Sequence, residues 1–277
     1  MQQTQVAEEI RKLREELQDH NYRYYVLDQP VITDYQFDMK LRHLQELEKA
    51  HPELFDPTSP TQRVGGGITK NFETVRHNTP MYSLDNSYTR EELLEWEKRI
   101  QRILGQVQLG FTCELKYDGA SISLTYENNT LIRAVTRGNG VEGDDVTTNV
   151  KTIRSVPLKL KKDFPGTFEV RGEIILPLAG FEQMNRDRVE SGDDPYMNPR
   201  NTASGSLKLQ DSSIVAQRPL DCLVYGMAGT LLGIQTQYGV LETSRELGFK
   251  VPATARICGT MQEVLQFLEY WDAKRHE

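Results

Sequence analysis

Cysteine is scarce in this sequence: Cys113, Cys222 and Cys258 are the only three, and no two of them form a C-x-x-C pair. An odd, dispersed set argues against a disulfide framework and fits a reducing compartment. Long apolar runs are missing too, as is a signal-peptide pattern, so the expectation is a cytoplasmic protein with no membrane partner. Positive charge is in deficit, with 33 Lys and Arg against 40 Asp and Glu, a net charge of -7. That balance excludes a general electrostatic grip on nucleic acid; any DNA contact must come from a local basic patch or from polypeptide beyond these residues. What is present, 38% hydrophobic and 26% charged residues over 277 positions, suits a globular chain of one large domain, or a domain plus a smaller module.

From about Val6 to Leu27, the residues Val6, Ile10, Leu13 and Leu17 fall on one helical face. A second helix is expected from about Asp34, where Phe37, Leu41, Leu44 and Leu47 continue an apolar stripe, with Gln29-Pro30 marking the turn between them. Together they predict a small helical hairpin module, with Asp34 at the N-cap position of its second helix. The aromatic residues Tyr22, Tyr24 and Tyr25, with Asp34, Tyr35, Phe37 and Asp38, admit two readings. One is core packing plus helix capping. The other is a pocket for a flat cationic ring, with aromatic faces to stack on and carboxylates for its charge.

From His51 to about Pro80 the prolines and the run Gly65-Gly66-Gly67 read as a linker with limited regular structure. Thr89 and Glu92 have capping-box spacing for a helix to about Leu104. Ser121 to Glu127 and Leu131 to Arg137 read as a β-hairpin turning at Asn128-Asn129. Phe168 to Ile175 alternates like a half-buried strand with Glu169, Arg171 and Glu173 on one face, which a plain ion-pair ladder would also explain. Helices are expected from about Ala179 to Glu190, Gln235 to Leu247 and Thr260 to Lys274, with a strand from Leu220 to Met227 between them.

The stretch Cys113-Glu114-Leu115-Lys116-Tyr117-Asp118-Gly119 reads as a strand end running into a turn. In a strand Glu114, Lys116 and Asp118 would share a face, either as a solvated charge ladder or as a site. A lysine amine attacks only when neutral, and flanking carboxylates hold its proton on. If Lys116 is a nucleophile, then burial, a bound Mg²⁺ or a cationic leaving group must offset them.

K-Y-D-G matches the K-x-D-G signature of the covalent nucleotidyltransferases. The fuller C-E-L-K-Y-D-G-A-S-I-S-L-T-Y-E-N, with T-R-G-N-G-V-E-G-D after it, resembles the bacterial NAD-dependent DNA ligases. Tyr24-Tyr25-Val26-Leu27-Asp28 and Asp34-Tyr35-Gln36-Phe37-Asp38 are similar to their N-terminal module, which ATP-dependent relatives lack. Ser59 to Gly65, Met81 to Asn86, Glu169 to Glu173 and Asn198 to Lys208 match further family segments.

The resemblance implies an α+β fold: a helical NMN-binding module and linker over residues 1–70, then an antiparallel-sheet, ATP-grasp-like nucleotidyltransferase core over residues 71–277. It implies that Lys116 attacks the adenylyl phosphorus of NAD, with Asp118 and Glu114 orienting the lysine and ribose and Glu173 helping to hold the nucleotide or metal. Ser83 and Leu84 would line the pocket and Arg137 would contact the nucleotide. Tyr24, Tyr25, Asp34, Tyr35, Gln36, Phe37 and Asp38 would bind the nicotinamide mononucleotide half. Arg200 and Lys208 would engage DNA, with nicked double-stranded DNA as the partner of the full-length, monomeric protein. Mg²⁺ is implied, without assigned ligands. Phe37 stands in place of the family's tyrosine, Asn139 in place of an aspartate, and Lys208 in place of an arginine, which keeps charge but not the bidentate fork. The family's E-I-D-G-x-V-x-K segment, later lysine and zinc site fall outside these residues, so the core is expected to be truncated before its last motifs, with apolar surface and strand edges exposed. The expectation is an N-terminal piece of a longer protein, or else a naturally shortened paralogue. An ATP-dependent nucleotidyltransferase and a binding-only fragment are the competing functions.

Overall fold

The computed structural model describes residues 2–27, 29–63, 71–105, 107–229 and 233–274. Two helices open the chain, α1 (Gln2–Tyr25) and α2 (Asp34–Ala50). They pack through the expected stripes, burying Ile10, Leu17 and Leu44 against Val6, Leu13, Phe37, Leu41 and Leu47. The pairs Glu9–His43 and Glu16–Lys40 show that they run antiparallel. The cap of α2 is Thr33 rather than Asp34. Its hydroxyl accepts from the Gln36 N–H, and the Gln36 side chain accepts from the Thr33 N–H at 3.0 Å. This reciprocal box puts Asp34 one residue inside the helix.

The proline-rich stretch after α2 is more ordered than a linker. Short 3-10 turns at Pro52–Leu54 and Pro60–Arg63 lead to a buried Arg63. Its guanidinium donates to the carbonyls of Ile153 at 3.0 Å and Val156 at 2.8 Å, which docks the helical module onto the larger unit. Asp28, Val64 and the glycines at 65–67 lie outside the described residues. β1 (Thr74–Arg76) then adds a short strand where none was expected.

α3 (Arg90–Leu104) starts at the expected capping box of Thr89 and Glu92. After β2 (Phe111–Cys113) come β3 (Ala120–Glu127) and β4 (Thr130–Thr136). Their turn places Asn128 and Asn129 at φ 48° and 65°, the left-handed pair that matches a two-residue hairpin to strand twist. β5 (Glu142–Asp144) pairs with β1, and α4 (Thr147–Val150) follows. Next are β6 (Thr167–Ile175), α5 (Leu178–Glu190), α6 (Pro199–Leu207) and the short α7 (Ser212–Ala216). β7 (Asp221–Gly229), α8 (Gln237–Leu247), β8 (Arg256–Cys258) and α9 (Met261–Lys274) complete the described chain, β8 pairing with β2.

The main sheet is antiparallel with strand order β4-β3-β6-β7. Alternation sorts its faces. Ile122, Leu124 and Tyr126 on β3 and Phe168, Val170 and Ile174 on β6 enter one core, covered by Val150, Ile153, Val156 and Leu207. Each such side chain contributes roughly 2 kcal/mol by leaving water. The other face carries Ser121, Ser123 and Thr125 opposite Glu173, Arg171 and Glu169. Mixed helix and antiparallel sheet is the architecture expected of this sequence.

The strand expected to run into the lysine turn is shorter than its motif. β2 ends at Cys113, and 114–118 form no ladder. The partner β8 is only three residues long, so the pairing runs out before Glu114. Glu114, Lys116 and Asp118 therefore do not form a strand-face ladder, and two of the three are held by other parts of the chain.

Candidate active site

Gly119 anchors the lysine segment. A Cβ built on it would stand 2.2 Å from the Ile174 carbonyl oxygen, so only glycine lets this turn press against the end of β6. That contact brings the Lys116 segment to the residue after Glu173. Glu173 accepts a hydrogen bond from the Ser121 hydroxyl at 2.7 Å, across the β3–β6 ladder. The Tyr225 phenol, raised mainly by burial, feels the charges of Glu173 and Arg171, so the polar face extends onto β7.

Glu114 is half-buried and accepts from the Gln237 side-chain amide at 2.8 Å, while the same amide donates to the Tyr225 carbonyl at 2.7 Å. Burial pushes the Glu114 carboxyl up, and the Gln237 donor partly opposes the shift. Asp118 is exposed and paired with Arg200 at 2.8 Å. Between them Lys116 is exposed and has no hydrogen bond or ion pair among the described residues. Its side chain is thus not held by another described residue.

A strap crosses the polar face. The Arg171 guanidinium donates to the Thr79 carbonyl at 2.7 Å, the His77 ring meets the Arg137 carbonyl at 3.1 Å, and the Met81 N–H donates to the Gly140 carbonyl at 2.8 Å. At its end Arg137 donates to the Ser83 hydroxyl at 2.7 Å, so two residues predicted from separate motifs meet. Leu84 beside them is 76% exposed, an apolar side chain with little packed on it. Asn139 is spent locally: its side-chain oxygen accepts from the Val141 and Glu142 N–H groups at 2.9 and 3.0 Å. An aspartate there could accept the same two bonds.

The ladder reading of β6 holds only for one pair. Glu169 lies 3.6 Å from Arg171 and accepts from Ser123, whereas Glu173 is bonded to Ser121 instead. Arg200 and Lys208 sit at opposite ends of α6, and Lys208 is paired with Asp144 at 2.7 Å.

The module has its own cleft of about 150 Å³. Tyr24, Tyr25, Phe37 and Asp38 line it, and the two tyrosine rings lie 4.7 Å apart. Tyr35 is 73% exposed and does not line the cleft, and Gln36 is occupied in the helix cap. Nothing is described of the Asp34 side chain. Sequence reasoning missed His20, Asn21 and Arg154 in the cleft wall, and Gln237 and Tyr225 beside Glu114. Gln237 and Arg154 lie in no motif near their partners, so no local signal marks them.

Residues 69–277 match the family described as NAD-dependent DNA ligase adenylation domain, and residues 3–65 match DNA ligase-like, N-terminal NAD+-binding domain. A DNA ligase of Flavobacterium johnsoniae is 61% identical over 98% of this chain and 41% of its own length. One from Flavobacterium psychrophilum is 63% identical over the same shares, and one from Thermotoga neapolitana is 48% identical over 99% of this chain and 39% of its own. The chain thus spans about 41% of the length of these first relatives. With the lysine turn, the polar sheet face and the aromatic module all in place, this chain belongs to the NAD-dependent DNA ligase adenylation-domain family.

Proposed function

We propose that this chain carries the self-adenylation step of an NAD-dependent DNA ligase, with Lys116 as nucleophile. The observation that supports it best is an exposed Lys116 without a partner among the described residues, on a turn that Gly119 presses against the strand bearing Glu173. Lys116 Nζ attacks the adenylyl phosphorus of NAD, forming an N–P bond as the bond to the leaving nicotinamide mononucleotide breaks; the amine proton passes to solvent. Asp118 and Glu114 orient the lysine and the ribose. Glu173 and Arg137 hold the nucleotide, with Ser83 and Leu84 lining its base. Tyr24, Tyr25, Phe37, Asp34 and Asp38 receive the mononucleotide half. Tyr35 and Gln36 flank these residues on α2, outside the cleft lining. The division after residue 70 separates these two tasks and has a family match on either side as its support.

Mg²⁺ fits as an ion borne by the nucleotide. Among the described residues no three His, Cys, Asp or Glu side chains converge. Mg²⁺ commonly takes one or two carboxylates plus substrate phosphates and water. Glu173 would supply the carboxylate, and the ion would neutralise phosphate charge.

In this arrangement the module docks through Arg63 onto 151–156, the segment covering the apolar face of the sheet. Glu173 and Arg171 lie on the opposite face. The reading therefore requires the module to leave this position for one NAD to reach both sites. AMP would pass next to the 5′-phosphate of a nick in DNA, engaged by Arg200 and Lys208 within a full-length, cytoplasmic, monomeric ligase. Among the described residues no helix is long and apolar enough to cross a membrane.

Intact-mass spectrometry after incubation with NAD and Mg²⁺ tests the reading, with ATP and Lys116→Ala as controls. The expected result is a gain of one AMP on the parent chain, with NAD only. Labelling by ATP alone would make it an ATP-dependent nucleotidyltransferase. No gain, with mononucleotide still bound, would make these residues a binding fragment.

A further inference from the structure

The wall of the aromatic cleft holds buried polar groups without a hydrogen-bond partner among the described residues. Asn21, on α1, is 4% exposed, and neither its amide nitrogen nor its amide oxygen has a hydrogen-bond partner among the described residues. Arg154, from the loop after α4, lines the same cleft with a buried guanidinium nitrogen equally unpartnered, and it forms no ion pair among the described residues. His20 joins them, both ring nitrogens buried without a hydrogen bond and Nε2 3.5 Å from Glu16.

Leaving such groups unmet costs about 1–3 kcal/mol each, more for a charge, and folded proteins satisfy nearly all of them. Here three cluster in one cleft, beside aromatic faces and the exposed carboxylate of Asp38. A guanidinium, an amide, a carboxylate and aromatic rings lining one cleft suit a zwitterion: a cationic ring near Asp38 and a phosphate near Arg154. Asn21 and Arg154 also line the adjoining 290 Å³ cleft between module and core, so they stand where the two units meet.

We propose that Arg154 and Asn21 form a phosphate-binding subsite that closes the module's aromatic cleft from the core side. A nucleotide carrying a cationic base and a 5′-phosphate bridges the two units in the arrangement seen here. The released mononucleotide thereby holds the module away from the polar sheet face. This inference rests on reading the aromatic cleft as the mononucleotide site.

The test is calorimetric titration of the 277-residue chain with nicotinamide mononucleotide and with nicotinamide riboside, which lacks the phosphate. The parent should bind the mononucleotide about tenfold or more tighter, the scale of a charge-assisted hydrogen bond. Arg154→Gln should abolish that preference and leave riboside affinity unchanged, which also reports that the variant is folded. Asn21→Leu should reduce it in the same sense. If the parent binds both ligands and Arg154→Gln leaves their ratio unaltered, the subsite is wrong and the cleft assignment stands. If the parent binds neither, the cleft assignment itself fails and the subsite with it.

Discussion

Arg200 and Asp118 form a 2.8 Å ion pair that ties the first turn of α6 to the turn after Lys116. One partner comes from the lysine motif and the other from a segment expected to engage DNA. Their side chains are 58% and 70% exposed, so solvent screens the pair. Arg200→Ala should cost less than about 1 kcal/mol in urea denaturation. A loss beyond about 2 kcal/mol would show the pair to be structural, not a contact open to exchange with substrate.

Gly119 has no room for a side chain, its Cβ position lying 2.2 Å from the Ile174 carbonyl oxygen. Gly119→Ala must push the lysine turn off β6 or bend the strand. The expected cost is roughly 1–3 kcal/mol by thermal denaturation, with loss of AMP labelling at Lys116. Full labelling with unchanged stability would contradict the proposed role of that contact.

Glu114 sets a pH dependence whose sign can be worked out. Burial raises its carboxyl above the usual range, opposed in part by the Gln237 donor. A carboxyl with a higher pKa in the folded state favours folding when protonated, and that contribution is lost as pH rises through the folded value. Glu114→Gln imitates the protonated form. It should raise the urea midpoint at about pH 7 and match the parent at about pH 4. A lower midpoint at neutral pH would mean that the ionised carboxylate has a favourable partner.

Cys113 lies three residues before Lys116, yet it is a poor candidate for reactivity. Burial, then the Cys258 thiol beside it, push its thiol up to about 12. At about pH 8 the thiolate fraction is on the order of one in ten thousand. Iodoacetamide should label native Cys113 far more slowly than an exposed cysteine, read by peptide mass spectrometry. Rapid labelling would overturn the burial argument.

Local order was legible in the sequence because its causes are local. The apolar stripes of α1 and α2, the Thr89–Glu92 box and the Asn128-Asn129 turn each follow from spacing or from a backbone conformation that few residues adopt. The lysine motif and the alternation of Glu169, Arg171 and Glu173 likewise marked where chemistry would be sought. Tertiary structure decided the rest, because a polar group's partner is chosen by proximity in space. Strand β2 stopped at Cys113 for want of a longer β8, so Glu114 turned to Gln237, 123 residues away, and Asp118 to Arg200, 82 residues away. Thr33 displaced Asp34 as a cap because Gln36 could close the box. Arg154 reached the module's cleft only through docking that Arg63 secures with backbone carbonyls, a relationship that no periodicity encodes. Spacing set the main helices and the β3–β4 hairpin; packing chose which charges were paired and, among the described residues, left Lys116 unpaired.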